Sequence, residues 1–329
     1  MEFFLFRRSE YDKLYNCSYD IDSIPIENRK HEFHGILTLV LSTLFVLVYI
    51  PTLSVIMRKY LRKTAYQLMF VVGFADVLML SIVAMLCGSM SVTGAVYCSA
   101  PTPIYVISCL GMGFWVLSTE SSVILALYRC MELWRPHVAD RLFAGKRALV
   151  WISLSLLHFV AVFSFGTPIV YSSLVGTMLL NPHAGYIEDK EERFSNQHHK
   201  LYNSALFFVL IGLYIAFVCL IVSKRKLMTA GPSRQMLATQ RKSLIQALVI
   251  CSCGAISDAY WFVVFLGPSP PQIAIFVGVY TWICSHGVPG IVYISMNRTI
   301  RGSIFKAFKT RTKPVIVSTM TSRRTDPNQ

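Results

Sequence analysis

The sequence predicts an all-α membrane protein, a bundle of seven transmembrane helices, and three observations carry that prediction. Of the 329 residues, 54% are apolar and only 15% charged, where soluble domains carry roughly 25% charged residues. The mean hydropathy of +0.52 is too high for a disordered chain or a soluble enzyme, which must face water with polar side chains. The apolar residues also gather in seven runs. Each is long enough for a helix rising about 1.5 Å per residue to cross a bilayer core near 30 Å.

The runs cover residues 35–57, 64–87, 102–128, 148–171, 201–223, 243–267 and 272–296. None alternates apolar and polar residues as a membrane β-strand does, and all exceed twice a barrel strand's length, so helices are the spanning elements. The sequence divides into an N-terminal segment 1–34, one membrane domain 35–296 and a tail 297–329. No internal repeat is evident. Seven runs also cannot split into two equal inverted halves, which argues against a transporter built on such symmetry.

Basic residues punctuate the runs asymmetrically. Of 31 Lys and Arg, 23 fall in the first, third and fifth loops and the tail, and 8 in the N-terminal segment and the second, fourth and sixth loops. By the positive-inside rule the N-terminus is therefore expected outside and the C-terminus in the cytoplasm. The sequon at Asn16 falls on the proposed exterior, whereas a second one, Asn297-Arg298-Thr299, falls on the cytoplasmic side; topology therefore rests on the charges. The apolar stretch 3–6 is too short for a signal-peptide core, so the first run is expected to act as the anchor. Contact with anionic lipid accounts for the net charge of +14 without nucleic acid. The stretch 301–313, with Ile304, Phe305 and Phe308 among cations, suits an interfacial amphipathic helix.

Seven of the nine cysteines lie in or beside the runs and read as small core residues, including the pair in Cys251-Ser-Cys253. Cys17 and Cys98 fall on the expected oxidising side and are candidates for a disulfide. Within the runs, ionisable groups are costly and mark candidate sites. Counting from the nearest flanking cation, Asp76, Glu120 and His286 lie roughly 20, 14 and 18 Å up their helices, all near mid-membrane. They are candidates for one buried polar cluster, as a packing network or as a two-state switch. Asp258 lies about 24 Å up, in the outer third of the sixth run. Near that height stand Tyr105, Tyr260, Trp261, Phe265, Tyr280 and Trp282, as ligand contacts or interfacial anchors. Pro51, Pro168 and Pro289 each remove a backbone donor in or near the end of a run.

No Gly-x-Ser-x-Gly or His-Glu-x-x-His spacing occurs, and the seventh run has no lysine for a retinal Schiff base. The reading is therefore a non-enzymatic chain without catalytic residues, metal or cofactor. One functional reading is a ligand-gated channel or transporter conducting past Asp76, Glu120 and His286.

Several longer motifs occur in order: Tyr15-Asn-Cys-Ser18, Tyr49-Ile-Pro51, Cys98-Ser-Ala-Pro101, Gly111-Met-Gly-Phe-Trp115, Arg129-Cys-Met-Glu-Leu-Trp134, Ser285-His-Gly-Val-Pro289 and Asn297-Arg-Thr299. With seven runs and an Arg closing the third, the chain resembles a G-protein-coupled receptor, and more narrowly the nematode serpentine receptor class T. The resemblance runs over essentially the whole chain. It implies a chemosensory receptor of the plasma membrane or sensory cilium, with a small-molecule odorant or pheromone and a heterotrimeric G protein as partners.

The resemblance further implies a ligand cavity between the outer halves of the third, fifth, sixth and seventh runs. Its switch residues would be Asp76, Glu120, Arg129, His286, Pro289 and Tyr293, with Lys224, Arg225, Lys226, Arg241 and Lys242 facing the G protein. Asp76 matches the acid that binds sodium in many such receptors. The chain departs from the rhodopsin-like pattern at three places. Tyr128 precedes Arg129 where an acid is usual, leaving Glu132 as the substitute; three residues, not two, separate Pro289 from Tyr293; and the second exterior loop lacks a cysteine, which supports the Cys17–Cys98 pairing.

Overall fold

A computed structural model describes residues 1–224, 234–264 and 270–311. Among the described residues, seven helices are long and apolar enough to cross a membrane: Ile26–Tyr60, Thr64–Thr93, Pro101–Trp134, Arg147–Phe165, Gln197–Leu220, Arg241–Val263 and Gln272–Met296, here the first to seventh spans. A helix satisfies its own backbone, the condition for crossing hydrocarbon. The outward faces carry bare apolar side chains, among them Leu44, Leu47, Leu157, Phe208 and Ile215, as a lipid-facing surface requires.

The third span is the hub and packs against the second, fourth and sixth. Small residues set the closest approaches. A Cβ on Gly35 would lie 2.6 Å from the Gly88 carbonyl oxygen, so the first two spans meet backbone to backbone. A Cβ on Gly287 would lie 2.1 Å from the Phe45 ring, which rests directly on the seventh span.

Most boundaries shift by a few residues from the sequence reading, and two of the shifts have a clear local cause. The fourth span ends at Phe165 rather than at 171: Gly166 leaves helical geometry and Pro168 two residues on cannot donate to a continuing helix. The residues after it, Val170–Ser172, pair antiparallel with Thr177–Leu179 in a hairpin that places Tyr171 opposite Met178. Pro168 is therefore a terminator and no kink. The third span runs longer than 102–128, because Pro101 suits the first helical turn and the helix continues past Arg129 to Trp134.

The N-terminal segment folds across one end of the bundle. Tyr11 and Tyr15 are buried against Tyr97 and Tyr105, and a disulfide joins Cys17 to Cys98 ahead of the third span. At the opposite end the helix Arg298–Arg311 turns Ile300 and Ile304 into the core and leaves Phe305 exposed. Asn297 caps it, its Oδ1 accepting from the Thr299 and Ile300 amides at 3.1 Å each. The second sequon thus has a helix-capping role.

Candidate functional site

Four helices converge on one buried carboxylate. Asp76, 1% exposed, lies in the last α-helical turn of the second span before the chain widens into the π-helical stretch Met79–Ala84. Its Oδ1 accepts from Ser118 Oγ of the third span at 2.5 Å and from His286 Nδ1 of the seventh at 2.8 Å. Its Oδ2 lies 2.7 Å from the Tyr49 hydroxyl of the first span. That hydroxyl is also 3.0 Å from the His286 carbonyl. With one proton to donate, Tyr49 serves the carboxylate first, the stronger acceptor.

A carboxylate at Nδ1 fixes that nitrogen as the donor and leaves His286 Nε2 free to accept or, on protonation, to donate. Nε2 is buried and has no hydrogen-bond partner among the described residues. His286 lines a cavity with about 40 Å³ of room for water centres, space for a few molecules. Asp76, Ser118, Ser257, Asp258 and Trp282 line it too. The cavity therefore holds two carboxylates, one imidazole and several hydroxyls between the third, sixth and seventh spans, walled on one side by Leu206 and Leu210 of the fifth.

Toward the tail end of the bundle, Tyr293 is fully buried with its ring 6.4 Å from that of Tyr49. Further along, Arg129 Nη1 donates to Glu132 Oε2 at 2.7 Å, its guanidinium lying 5.5 Å from the Tyr128 ring centre. Glu132 thus sits where the sequence suggested, one turn after the arginine.

The family model described as "Serpentine type 7TM GPCR chemoreceptor Srt" matches residues 1–315. The chain belongs to the Srt family. Serpentine receptor class T-55 of Caenorhabditis elegans is 25% identical over 293 residues, spanning 87% of this chain and 78% of that one. Squid rhodopsin superposes with a TM-score of 0.66 at 16% identity, over 88% of this chain and 83% of that one, a likeness of fold. This Srt chain is thus a multi-pass plasma-membrane protein of a receptor family, with the seven-helix fold of rhodopsin.

The structure separates residues that the sequence grouped. Asp76 and His286 meet, but Glu120 points away from them: two residues beyond Ser118 on a helix is about 200° of rotation, and Glu120 pairs instead with His158 of the fourth span. Three protein donors, from Tyr49, Ser118 and His286, already converge on the acid that the resemblance matched to a sodium site. Asp258 reaches the same central cavity as His286 instead of a separate exterior one.

Of the aromatic candidates, Trp282 lines that cavity. Tyr105 lies beneath the N-terminal segment, with ring centres 5.0 Å from Tyr11 and 4.8 Å from Tyr15. Tyr260 donates to the Ala274 carbonyl at 2.9 Å, Trp261 packs on Gly278, and Tyr280 bonds His34 at 2.8 Å. These three therefore join helices to each other. Pro289 also borders the cavity, one turn after His286. Asn16, Arg241 and Lys242 are exposed. Phe265, Arg225 and Lys226 lie outside the described residues, as does the Lys224 side chain.

Sequence reasoning missed Tyr49 and Ser118. Tyr49 stood in the motif Tyr49-Ile-Pro51, but neither hydroxyl carries a charge to flag it. It also missed His183, buried in the loop after the hairpin, whose Nε2 donates to the Leu14 carbonyl at 3.0 Å and so helps hold the N-terminal segment down.

Burial disfavours the imidazolium of His183 and lowers its pKa from the ordinary 6.5, the bond to Leu14 opposing in part. A histidine held neutral in the folded state contributes fully above its unfolded pKa, and that contribution is lost as pH falls below about 6.5 toward the folded value. The protection factors of residues 1–31, which are exchange rates corrected for the intrinsic pH dependence of amide exchange, are therefore expected to fall on acidification. In His183→Gln the pH dependence should flatten; an unchanged profile would remove His183 as its source.

Proposed function

We propose that this Srt chain is a chemosensory receptor that takes a small odorant or pheromone from the side bearing the N-terminal segment and signals through a heterotrimeric G protein at the opposite end. The charge asymmetry of the loops supports that orientation, with the N-terminal segment and Asn16 exterior and the basic loops cytoplasmic. Sensory cilium is the location that the chemoreceptor family suggests.

The observation that carries the reading is that the cavity and the buried polar network share residues. Asp76 and His286 line the one and make the other. A ligand donating to Asp258, or competing for His286 Nε2, alters the charge facing Asp76 and so the bond that joins the second and seventh spans. Two packings of the bundle then differ in ligand affinity, which is the thermodynamic requirement for signalling. Tyr293 and the Arg129–Glu132 pair lie on the way to the tail end, where rearrangement would expose the basic loops to the partner.

A panel of small molecules applied to cells expressing the chain with a G-protein nucleotide-exchange reporter tests this. The expected result is exchange driven by an active compound, with the dose curve for that compound moved at least tenfold in Asp258→Asn at equal surface expression. Ligand-evoked current that persists without G protein would overturn the reading in favour of a channel. So would antibody access to tags at both ends of the chain on intact cells.

A further inference from the structure

A second polar cluster lies away from the central cavity, on the flank of the bundle where the third, fourth and fifth spans meet. His158 Nδ1 is 2.6 Å from Glu120 Oε1, and His158 Nε2 is 3.1 Å from His198 Nε2 in the first turn of the fifth span. Glu120 fixes the tautomer: with Nδ1–H donated to the carboxylate, His158 Nε2 carries a lone pair when the ring is neutral. His198 Nε2 meets it from another helix in a hydrogen bond, whose proton a metal ion would displace.

That juxtaposition has the dimensions of a metal site. Two imidazole nitrogens each about 2.0–2.1 Å from one zinc ion stand about 2.9–3.4 Å apart for angles between square and tetrahedral. A carboxylate on the far nitrogen of a ligating histidine is the usual outer partner, because it orients the ring and strengthens it as a donor. The site is also reachable, since the side chains of His158 and Glu120 are 26% and 25% exposed and His198 is exposed at the end of its span. Among the described residues no group of three or more His, Cys, Asp or Glu is placed to hold a metal ion. The protein therefore offers two nitrogens, and water completes the shell.

We propose that His158 and His198 form a bidentate site for a divalent transition-metal ion of the zinc class, oriented by Glu120. Imidazole pairs select zinc, copper or nickel over magnesium and calcium, which take oxygen ligands. An ion there links the fourth span to the fifth and stabilises whichever arrangement brings the two rings together.

Titrating tag-free purified protein with zinc chloride while following thermal unfolding tests the site. A saturable rise in Tm at one equivalent is expected, because the ion binds the folded state. The rise should be absent in His198→Ala, need 10–100-fold more zinc in Glu120→Gln, and not be reproduced by magnesium. On the unmutated protein, a copper electron-paramagnetic-resonance spectrum should show coupling to two imidazole nitrogens. An identical zinc curve in His198→Ala, no rise in the parent protein, or coupling to a single nitrogen would each overturn the proposal.

Discussion

Replacing Asp76 with alanine is expected to cost about 3 kcal/mol or more of stability, since each buried donor left unsatisfied costs about 1–3 kcal/mol. The carboxylate accepts from Tyr49, Ser118 and His286, which come from three different spans. Alanine strands all three donors, and a water from the adjoining cavity can replace only part of the lost carboxylate. Asp76→Asn keeps the volume and one acceptor oxygen, and His286 can change tautomer to accept from the new amide, so its loss should be clearly smaller. Thermal unfolding in detergent, with the fraction of monodisperse protein as a second readout, checks both. An alanine variant that unfolds within a degree or two of the parent would show that the four-helix network is not formed.

The comparison of these variants also bears on what a sequence can disclose. Depth along a helix follows from counting residues, and it put Asp76 and His286 at one level, where they do meet. Rotation does not follow from counting. Ser118 and Glu120 are two residues apart on one helix, yet one faces Asp76 and the other faces His158. A three-residue group read from depth alone is therefore divided between opposite sides of the third span. Hydroxyl partners such as Tyr49 were illegible for another reason, since a tyrosine in an apolar run looks like any other core aromatic. The seven spans themselves were legible because the bilayer imposes one length and one polarity. The end of the fourth span was less legible, because apolar residues continue past Pro168 but the helix does not, and the same Val and Tyr residues go into a hairpin.

The disulfide offers a second large effect at the other end of the molecule. Cys17→Ser is expected to destabilise the protein by about 2–4 kcal/mol, since the bridge links positions 81 residues apart. Most of that loss should appear locally. The N-terminal segment is also held by the Tyr11–Tyr97 hydroxyl contact at 2.9 Å, by His183 at the Leu14 carbonyl and by Tyr186 at the Ile21 carbonyl. Those contacts keep the segment docked when the bridge is cut, but each can open without the others once the tether is gone. Hydrogen exchange over residues 1–31 should therefore accelerate far more than exchange in the second and seventh spans. The Cys17→Ser, Cys98→Ser double variant should match the single one, because both lose the same bond. Exchange in 1–31 that stays at the parent rate would show that the aromatic contacts alone hold the segment over Tyr105. In that case the cover is fastened by packing, and conservative changes at Tyr11 and Tyr15, rather than at the cysteines, would release it.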